Sequence, residues 1–250
     1  MLNIVVPMAG RGSRFVSAGF DLPKPLIPVH GKPMVSLVIE NVRPARPHRF
    51  VFLCLAEHLE RYPVAELLRA RCPDAVIVPV RTVTEGAACT VLLAREHIDS
   101  DDALLIANSD QWVDASIDDF LAAADRDALD GIIMTMKAND PKWSFVRFRP
   151  DGLVGEVVEK VVVSDEATVG IYHFRSGRAF VAGADAMIAA DLRVNGEFYV
   201  APVYNRLIAD GARVGCFNVG AEDAGMYGLG IPPDLARFLA NPVSRRAVDF

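Results

Sequence analysis

Two short stretches of this sequence hold residue types that could do chemistry together. In Pro7-Met8-Ala9-Gly10-Arg11-Gly12-Ser13-Arg14-Phe15 two glycines alternate with two arginines, and Pro23-Lys24-Pro25 follows a few residues later. Glycine lacks Cβ, so backbone N–H groups there can approach phosphate oxygens, while Arg11, Arg14 and Lys24 add positive charge. The combination suits a triphosphate. Neither G-x-x-x-x-G-K-[ST] nor G-x-G-x-x-G is spelled, because Gly19 is the next glycine after Gly12. The plain alternative is a solvent loop, with glycines for turns and arginines for solubility. The second stretch is Asn108-Ser109-Asp110, after the apolar run Ala103 to Ala107. A carboxylate at such a strand end projects into a crevice, where a hard oxygen can hold Mg²⁺ against phosphates. A turn-capping aspartate is the other reading of Asp110, and Asn108 and Gln111 either bond a ribose or shape the turn.

Other chemistries find no support. Five histidines form no His-x-x-x-His pair and four cysteines form no cluster, which argues against a tetrahedral zinc site. Ser109 and Ser144 lack a G-x-S-x-G elbow, which leaves a covalent serine mechanism without a basis.

The elements that must position these residues alternate short apolar runs with helix-length segments, the pattern of a parallel sheet covered on both faces. Strands are expected at Asn3 to Met8, Phe50 to Leu55, Ala75 to Val80 and Ala103 to Ala107, with helices at Pro33 to Glu40, Glu57 to Arg71 and Gly86 to Glu96. From Gly131 the pattern turns to successive strands: Ile132 to Met136, Phe145 to Phe148, Leu153 to Val158 and Ala167 to Phe174. Helices near Arg178 to Ala190 and Tyr199 to Ala209, a strand at Val214 to Val219 and a helix near Pro233 to Ala240 complete the chain. No repeat or low-complexity linker divides it, so one domain over residues 1–250 is the expectation. In an open α/β sheet, ligands bind beyond the carboxyl ends of the strands, where both stretches must emerge.

Composition bounds the partners. With 52% hydrophobic and 23% charged residues, the chain can bury a core at 250 residues. A net charge of −6 argues against nucleic acid and against a polybasic membrane contact. No apolar stretch approaches the roughly 18 residues of a membrane span. The scattered cysteines read as reduced core residues, and the first residues show no signal-peptide pattern; both make a cytoplasmic location the expectation.

Met8 to Phe15, with Leu22-Pro23-Lys24-Pro25-Leu26-Ile27-Pro28-Val29-His30-Gly31-Lys32-Pro33-Met34, resembles the signature G-x-G-[ST]-R-[LF]…P-K-P-[LM]…G-[KR]-P-[ML] of the nucleotidyltransferases. These are the sugar-1-phosphate nucleotidyltransferases and related cytidylyltransferases. The resemblance implies a Rossmann-like, GT-A-like mixed and mostly parallel sheet flanked by helices. It gives Arg14 and Lys24 the phosphates, and Met8, Ala9, Gly10, Arg11, Gly12 and Ser13 the nucleotide. Thr84 to Leu92 resembles the segment that lies against the nucleobase, which implicates Glu85, Gly86 and Ala87, while Asn108-Ser109-Asp110 resembles the metal-binding strand end. Glu159-Lys160, Gly170, Glu197 and Trp143 fall on acceptor-side segments, the last within Lys142-Trp143-Ser144, which resembles a capsule-pathway cytidylyltransferase branch. The family's second metal-binding aspartate has no match: Gly228 stands there, with Glu222 and Asp223 upstream as substitutes or as solvated loop acids.

The resemblance implies an Mg²⁺-dependent enzyme that transfers NMP from an NTP, CTP first, to a phosphorylated small-molecule or sugar acceptor for capsule or surface polysaccharide precursors, releasing pyrophosphate. A GT-A-like glycosyltransferase using Asp99-Ser100-Asp101 and a non-catalytic nucleotide-binding module are the rival readings. Oligomerisation is left open.

Overall fold

A computed structural model describes residues 1–250. Thirteen strands appear in chain order: β1 (Leu2–Met8), β2 (Pro28–Val29), β3 (Lys32–Pro33), β4 (His48–Leu55), β5 (Val76–Val80), β6 (Ala103–Ala107), β7 (Gln111–Val113), β8 (Gly131–Lys137), β9 (Ser144–Phe148), β10 (Val154–Glu159), β11 (Glu166–Phe174), β12 (Val214–Glu222) and β13 (Gly225–Gly228). Strands β2 and β3 make a small hairpin. The other eleven form one sheet in the order β5-β4-β1-β6-β11-β8-β12-β13-β7, with β9 on the flank of β11 and β10 on β9. Only β7, β10 and β11 run against the rest, as follows from their antiparallel pairings. The sheet is therefore mixed and mostly parallel, as the sequence implied.

Burial on both faces explains the continuous apolar runs: 31 buried residues pack on one face and 29 on the other. All nine residues of β11 are buried, so it is the sheet's central beam. Alternate residues of β1 divide between the two clusters, Ile4 and Val6 in one and Val5 in the other.

Three expected helices are shorter than their apolar patterns. The Glu57–Arg71 segment breaks into Ala56–Arg61 and Val64–Arg71 around Pro63, which cannot donate the helical hydrogen bond. The Gly86–Glu96 segment divides into Ala87–Leu92 and Arg95–Ile98. Pro202 holds Ala201–Val203 in a tighter 3-10 turn before the helix Tyr204–Ala209. The helix Ile117–Arg126, absent from the expectation, is capped by Ser116, whose hydroxyl accepts from the Asp119 N–H at 3.2 Å. Pro33 sits just ahead of its helix, Met34–Asn41.

Two features of this architecture set up the site. Strand β1 has β4 on one side and β6 on the other, both parallel, so the connections diverge and open a crevice beyond the ends of β1 and β6. Strand β7 then pairs antiparallel with β13, Gln111 opposite Gly228, which draws the C-terminal turn onto the loop after β6. The Leu229 N–H donates to the Asp110 carbonyl at 2.8 Å.

Candidate active site

The crevice between β1 and β6 is a cleft of about 300 Å³. From β1 come Pro7, Met8, Ala9 and Gly10; from the end of β6, Asn108, Ser109 and Asp110; from the loop after β5, Val83, Thr84, Gly86 and Ala87. Lys24, Thr90 and Glu197 complete the lining. Residues 100 positions apart thus meet because two parallel neighbours end side by side.

Lys24 and Asp110 decide what the cleft can hold. The Lys24 Nζ lies 2.9 Å from Asp110 Oδ2, and both side chains are partly buried, 19% and 30% exposed. A cation suited to phosphate and a carboxylate suited to a metal ion therefore converge on one spot. Gly12 permits the approach: its backbone is left-handed at φ +62°, and a Cβ there would stand 3.3 Å from the Lys24 Cβ. Gly230 does the same on the far side, where a Cβ would come within 2.8 Å of Asp110 Oδ2.

The wall formed by residues 84–88 is stitched to the segment at 196–199. The Phe198 N–H donates to the Glu85 carbonyl at 2.8 Å, and Ala88 N–H donates to the Phe198 carbonyl at 3.0 Å. The hydroxyls of Thr84 and Thr90, 2.6 Å apart, both reach the Gly86 carbonyl. Nothing in the spacing of these threonines marked them. Glu85 itself turns outward and is held by Arg193 at 3.1 Å.

Residues 4–191 match the family model described as Nucleotidyl transferase. The chain belongs to the nucleotidyl transferase family. Among curated relatives, the bifunctional protein GlmU of Janthinobacterium sp. (strain Marseille) is 28% identical over 219 residues, which is 85% of this chain and 46% of that protein. GlmU of Cupriavidus taiwanensis is 26% identical over 232 residues, 90% and 48% of the two chains. This transferase chain thus spans about half the length of the curated relatives it matches. The fold is shared with a nucleoside-diphosphate-sugar pyrophosphorylase from Vibrio cholerae RC9, at TM-score 0.78 and 24% identity over 95% of this chain and 100% of the other. It is shared also with the inositol-1-phosphate CTP transferase of T. maritima, at TM-score 0.75 and 16% identity over 99% and 96%.

The structure of this nucleotidyl transferase distributes the remaining sequence-implicated residues unevenly. Arg14, in the helix Ser13–Ser17, is exposed and forms no ion pair. Arg11 and Ser13 line a neighbouring cavity instead of the cleft. Glu222 and Asp223 are not part of the cleft lining: Lys142 holds Glu222 at 2.7 Å and Arg237 holds Asp223 at 3.1 Å. Asp99 and Asp101, the D-x-D spelling, precede β6 and so lie at the opposite end of the sheet, where Arg178 meets Asp101 at 3.1 Å. The glycosyltransferase reading loses its metal motif there.

Gly170 supports the site from behind. Its backbone is left-handed at φ +82° within a register shift of β11, its carbonyl accepts from the Asn108 N–H at 2.9 Å, and a Cβ would overlap Asn108 Nδ2 at 2.2 Å. Its contact is with the turn that carries Asp110. Glu159, at the end of β10, is buried and accepts a hydrogen bond from the Ser144 hydroxyl. Lys160 follows in a left-handed conformation, φ +57°, its ammonium 5.1 Å above the Tyr199 ring. Trp143 is half-buried beneath Lys142, whose ammonium lies 4.9 Å from the ring centre.

Burial raises the Glu159 carboxyl above its ordinary value, the Ser144 bond and Lys160 opposing only in part. The protonated form therefore favours the folded chain, and stability attached to this group declines as pH rises from the ordinary glutamate range through the raised value. Glu159→Gln keeps the acceptor for Ser144 and removes the charge. The gain in Tm of this variant over wild type should be larger at pH 7.5 than at pH 4, measured by thermal unfolding. A pH-independent difference would contradict this assignment.

The donor set fits a divalent ion only in part. Asp110 is a partly exposed hard-oxygen ligand, yet no group of three His, Cys, Asp or Glu is assembled anywhere. Mg²⁺ accepts such a site, since it keeps waters and takes substrate phosphate oxygens as ligands.

Proposed function

We propose that this chain is an enzyme that transfers a nucleoside monophosphate from an NTP to a phosphorylated acceptor, a sugar 1-phosphate or a small-molecule phosphate, and releases pyrophosphate. The observation that carries the reading is the meeting of Lys24 and Asp110 at 2.9 Å in the crevice of a nucleotidyl transferase sheet. An acceptor phosphate oxygen attacks the α-phosphorus, the bond to the bridging α,β-oxygen breaks, and that oxygen leaves with pyrophosphate. A phosphate monoester is already a nucleophile, so no serine, cysteine or strong base is needed, and the protein contributes position and charge neutralisation.

In this reading Lys24 exchanges Asp110 for a phosphate oxygen when the NTP enters. Asp110 would hold Mg²⁺, which when bound neutralises charge on the triphosphate. Backbone at Met8 to Gly10 and Gly86 borders the nucleoside, with Arg14 free to reach the outer phosphates. Glu159, Lys160, Glu197 and Trp143 serve the acceptor, Glu159 through its second carboxyl oxygen and Lys160 through an ammonium with no carboxylate partner. CTP is the favoured donor and a capsule or surface polysaccharide precursor the favoured product, on the strength of the sequence resemblance. A single domain working in the cytoplasm completes the proposal; no helix is long and apolar enough to cross a membrane.

The test is release of pyrophosphate from CTP, UTP, dTTP and GTP, each with Mg²⁺ and a panel of sugar 1-phosphates and small-molecule phosphates. Release that requires both an NTP and one acceptor class is the expected result. NTP left intact with every acceptor would overturn the catalytic reading in favour of a binding module.

A further inference from the structure

The amino-terminal end of the sheet, opposite the cleft, carries a cavity of about 410 Å³, within the size range of small-molecule sites. Its floor is the start of β6 and the exit of β11, and Ala124, Ala128 and Leu129, from the helix Ile117–Arg126 and the turn after it, make an apolar wall. His173 breaks this lining. Along β11 the row Ala167, Val169 and Ile171 packs in one core cluster, and His173 continues it between Leu105 of β6 and Ile132 of β8. The residue is only 5% exposed, and its Nδ1 is fully enclosed without a hydrogen-bond partner. Buried polar side chains are seldom left so. Nε2, which makes no hydrogen bond within the chain either, is the nitrogen left to face the cavity.

The charged groups around it are Arg46, Arg175, Asp101, Asp102 and Asp125. Each carboxylate already meets a cation: Asp101 the Arg178 guanidinium at 3.1 Å, Asp102 the Met1 amine at 2.8 Å, and Asp125 the Arg46 guanidinium at 2.8 Å. Arg175 is exposed and has no carboxylate within ion-pair distance. The lining therefore offers an anion one free guanidinium and offers a cation no free carboxylate. Burial lowers the His173 pKa to about 4, so near pH 7 the ring is neutral, with one nitrogen donating and the other accepting. A phosphate brings three acceptor oxygens, enough for both the Arg175 fork and an Nε2–H, whereas the fork alone takes up both oxygens of a carboxylate.

We propose that this cavity is a second ligand site, at the other end of the strands from Lys24 and Asp110, for a phosphorylated small molecule: phosphate on Arg175 and the His173 Nε2–H, organic body against Ala124 and Leu129. None of its residues belongs to the cleft, so it does not depend on the transfer reaction. Strand β11 borders both places. Three residues before His173, the Gly170 carbonyl accepts from the Asn108 N–H at 2.9 Å, in the turn that carries Asp110.

The experiment is ¹⁵N NMR of the full chain labelled at its five histidines, with His173 assigned from the signals lost in His173→Phe. The probes are inorganic phosphate, glucose 1-phosphate, ribose 5-phosphate and, as the carboxylate arm, citrate. At least one organic phosphate should shift the His173 ring nitrogens saturably. Arg175→Gln should weaken that response tenfold or more, while kcat and both KM values for pyrophosphate release stay within twofold. A His173 resonance that no probe moves overturns the proposal. So does an unchanged response in Arg175→Gln, which would place the anion elsewhere. Citrate or inorganic phosphate binding as tightly as every organic phosphate would also overturn it, the first by removing the phosphate class and the second by leaving an adventitious ion only. A His173 response in a chain that releases no pyrophosphate would defeat the catalytic reading and leave this site standing.

Discussion

Asp110→Asn should lower kcat by about 10² to 10³, the usual cost of removing one group that stabilises charge in a closed site. The substitution keeps the shape of the side chain and its packing beside Gly230, and removes the charge that faces Lys24 and that, in the proposed reaction, would hold a divalent ion. Because the Lys24–Asp110 pair is partly open to water, its loss should change Tm little, as for other exposed ion pairs. Activity and stability therefore separate. Lys24→Met should produce a comparable fall in kcat with the same small effect on Tm, and the double variant should cost less than the product of the two single losses, since both act on one polyanion. Steady-state pyrophosphate release with the best donor and acceptor measures this. Wild-type turnover in Asp110→Asn would remove the basis of the site.

Gly86→Ala should be a strongly damaging small substitution in the wall of the cleft. At φ +130° residue 86 is where only glycine rests easily, and a Cβ would stand 2.4 Å from the Phe198 carbonyl oxygen and 2.5 Å from its nitrogen. These are backbone atoms held by two hydrogen bonds to residues 85 and 88, so they cannot rotate away. Strain of roughly 1 to 3 kcal/mol and the loss of two bonds worth about 1 kcal/mol each predict a fall in Tm on the order of 10 °C. Donor affinity should fall as well, because the same residues wall the cleft. Gly152→Ala supplies the comparison: it has φ +82° but open space around it, so it bears conformational strain alone. Equal Tm shifts in the two variants would show that the fit against Phe198 does not matter.

The core of the site was legible because it depends on strand ends. An apolar run followed by Gly10-x-Gly12, and another followed by Asp110, are local patterns, and parallel neighbours bring their ends together without further information. Helix Ile117–Arg126 went unread although its signal is local: Ile117, Phe120, Leu121 and Ala124 are buried at helical spacing behind a Ser116 cap. The three-residue β7 and four-residue β13 were not legible, since such short strands form only through their pairing partners. Nor was the fate of the acids at 222 and 223, which depends on Lys142 and Arg237 arriving from distant segments. Arg11 shows the same limit: its loop was predicted, but the side of the loop it faces is set by tertiary packing.

The pairing of β7 with β13 makes the carboxylate turn a joint product of remote stretches of chain. The family match ends at residue 191, yet the Asp110 carbonyl is held by Leu229 and the strand leaving it borders one from beyond residue 220. A chain cut after residue 191 would retain every residue of the glycine loop and Asp110 itself, but leave Gln111–Val113 without its strand partner and held only at Val113, by Asn41. Competence for the proposed transfer would then arrive only when the last quarter of the polypeptide has docked.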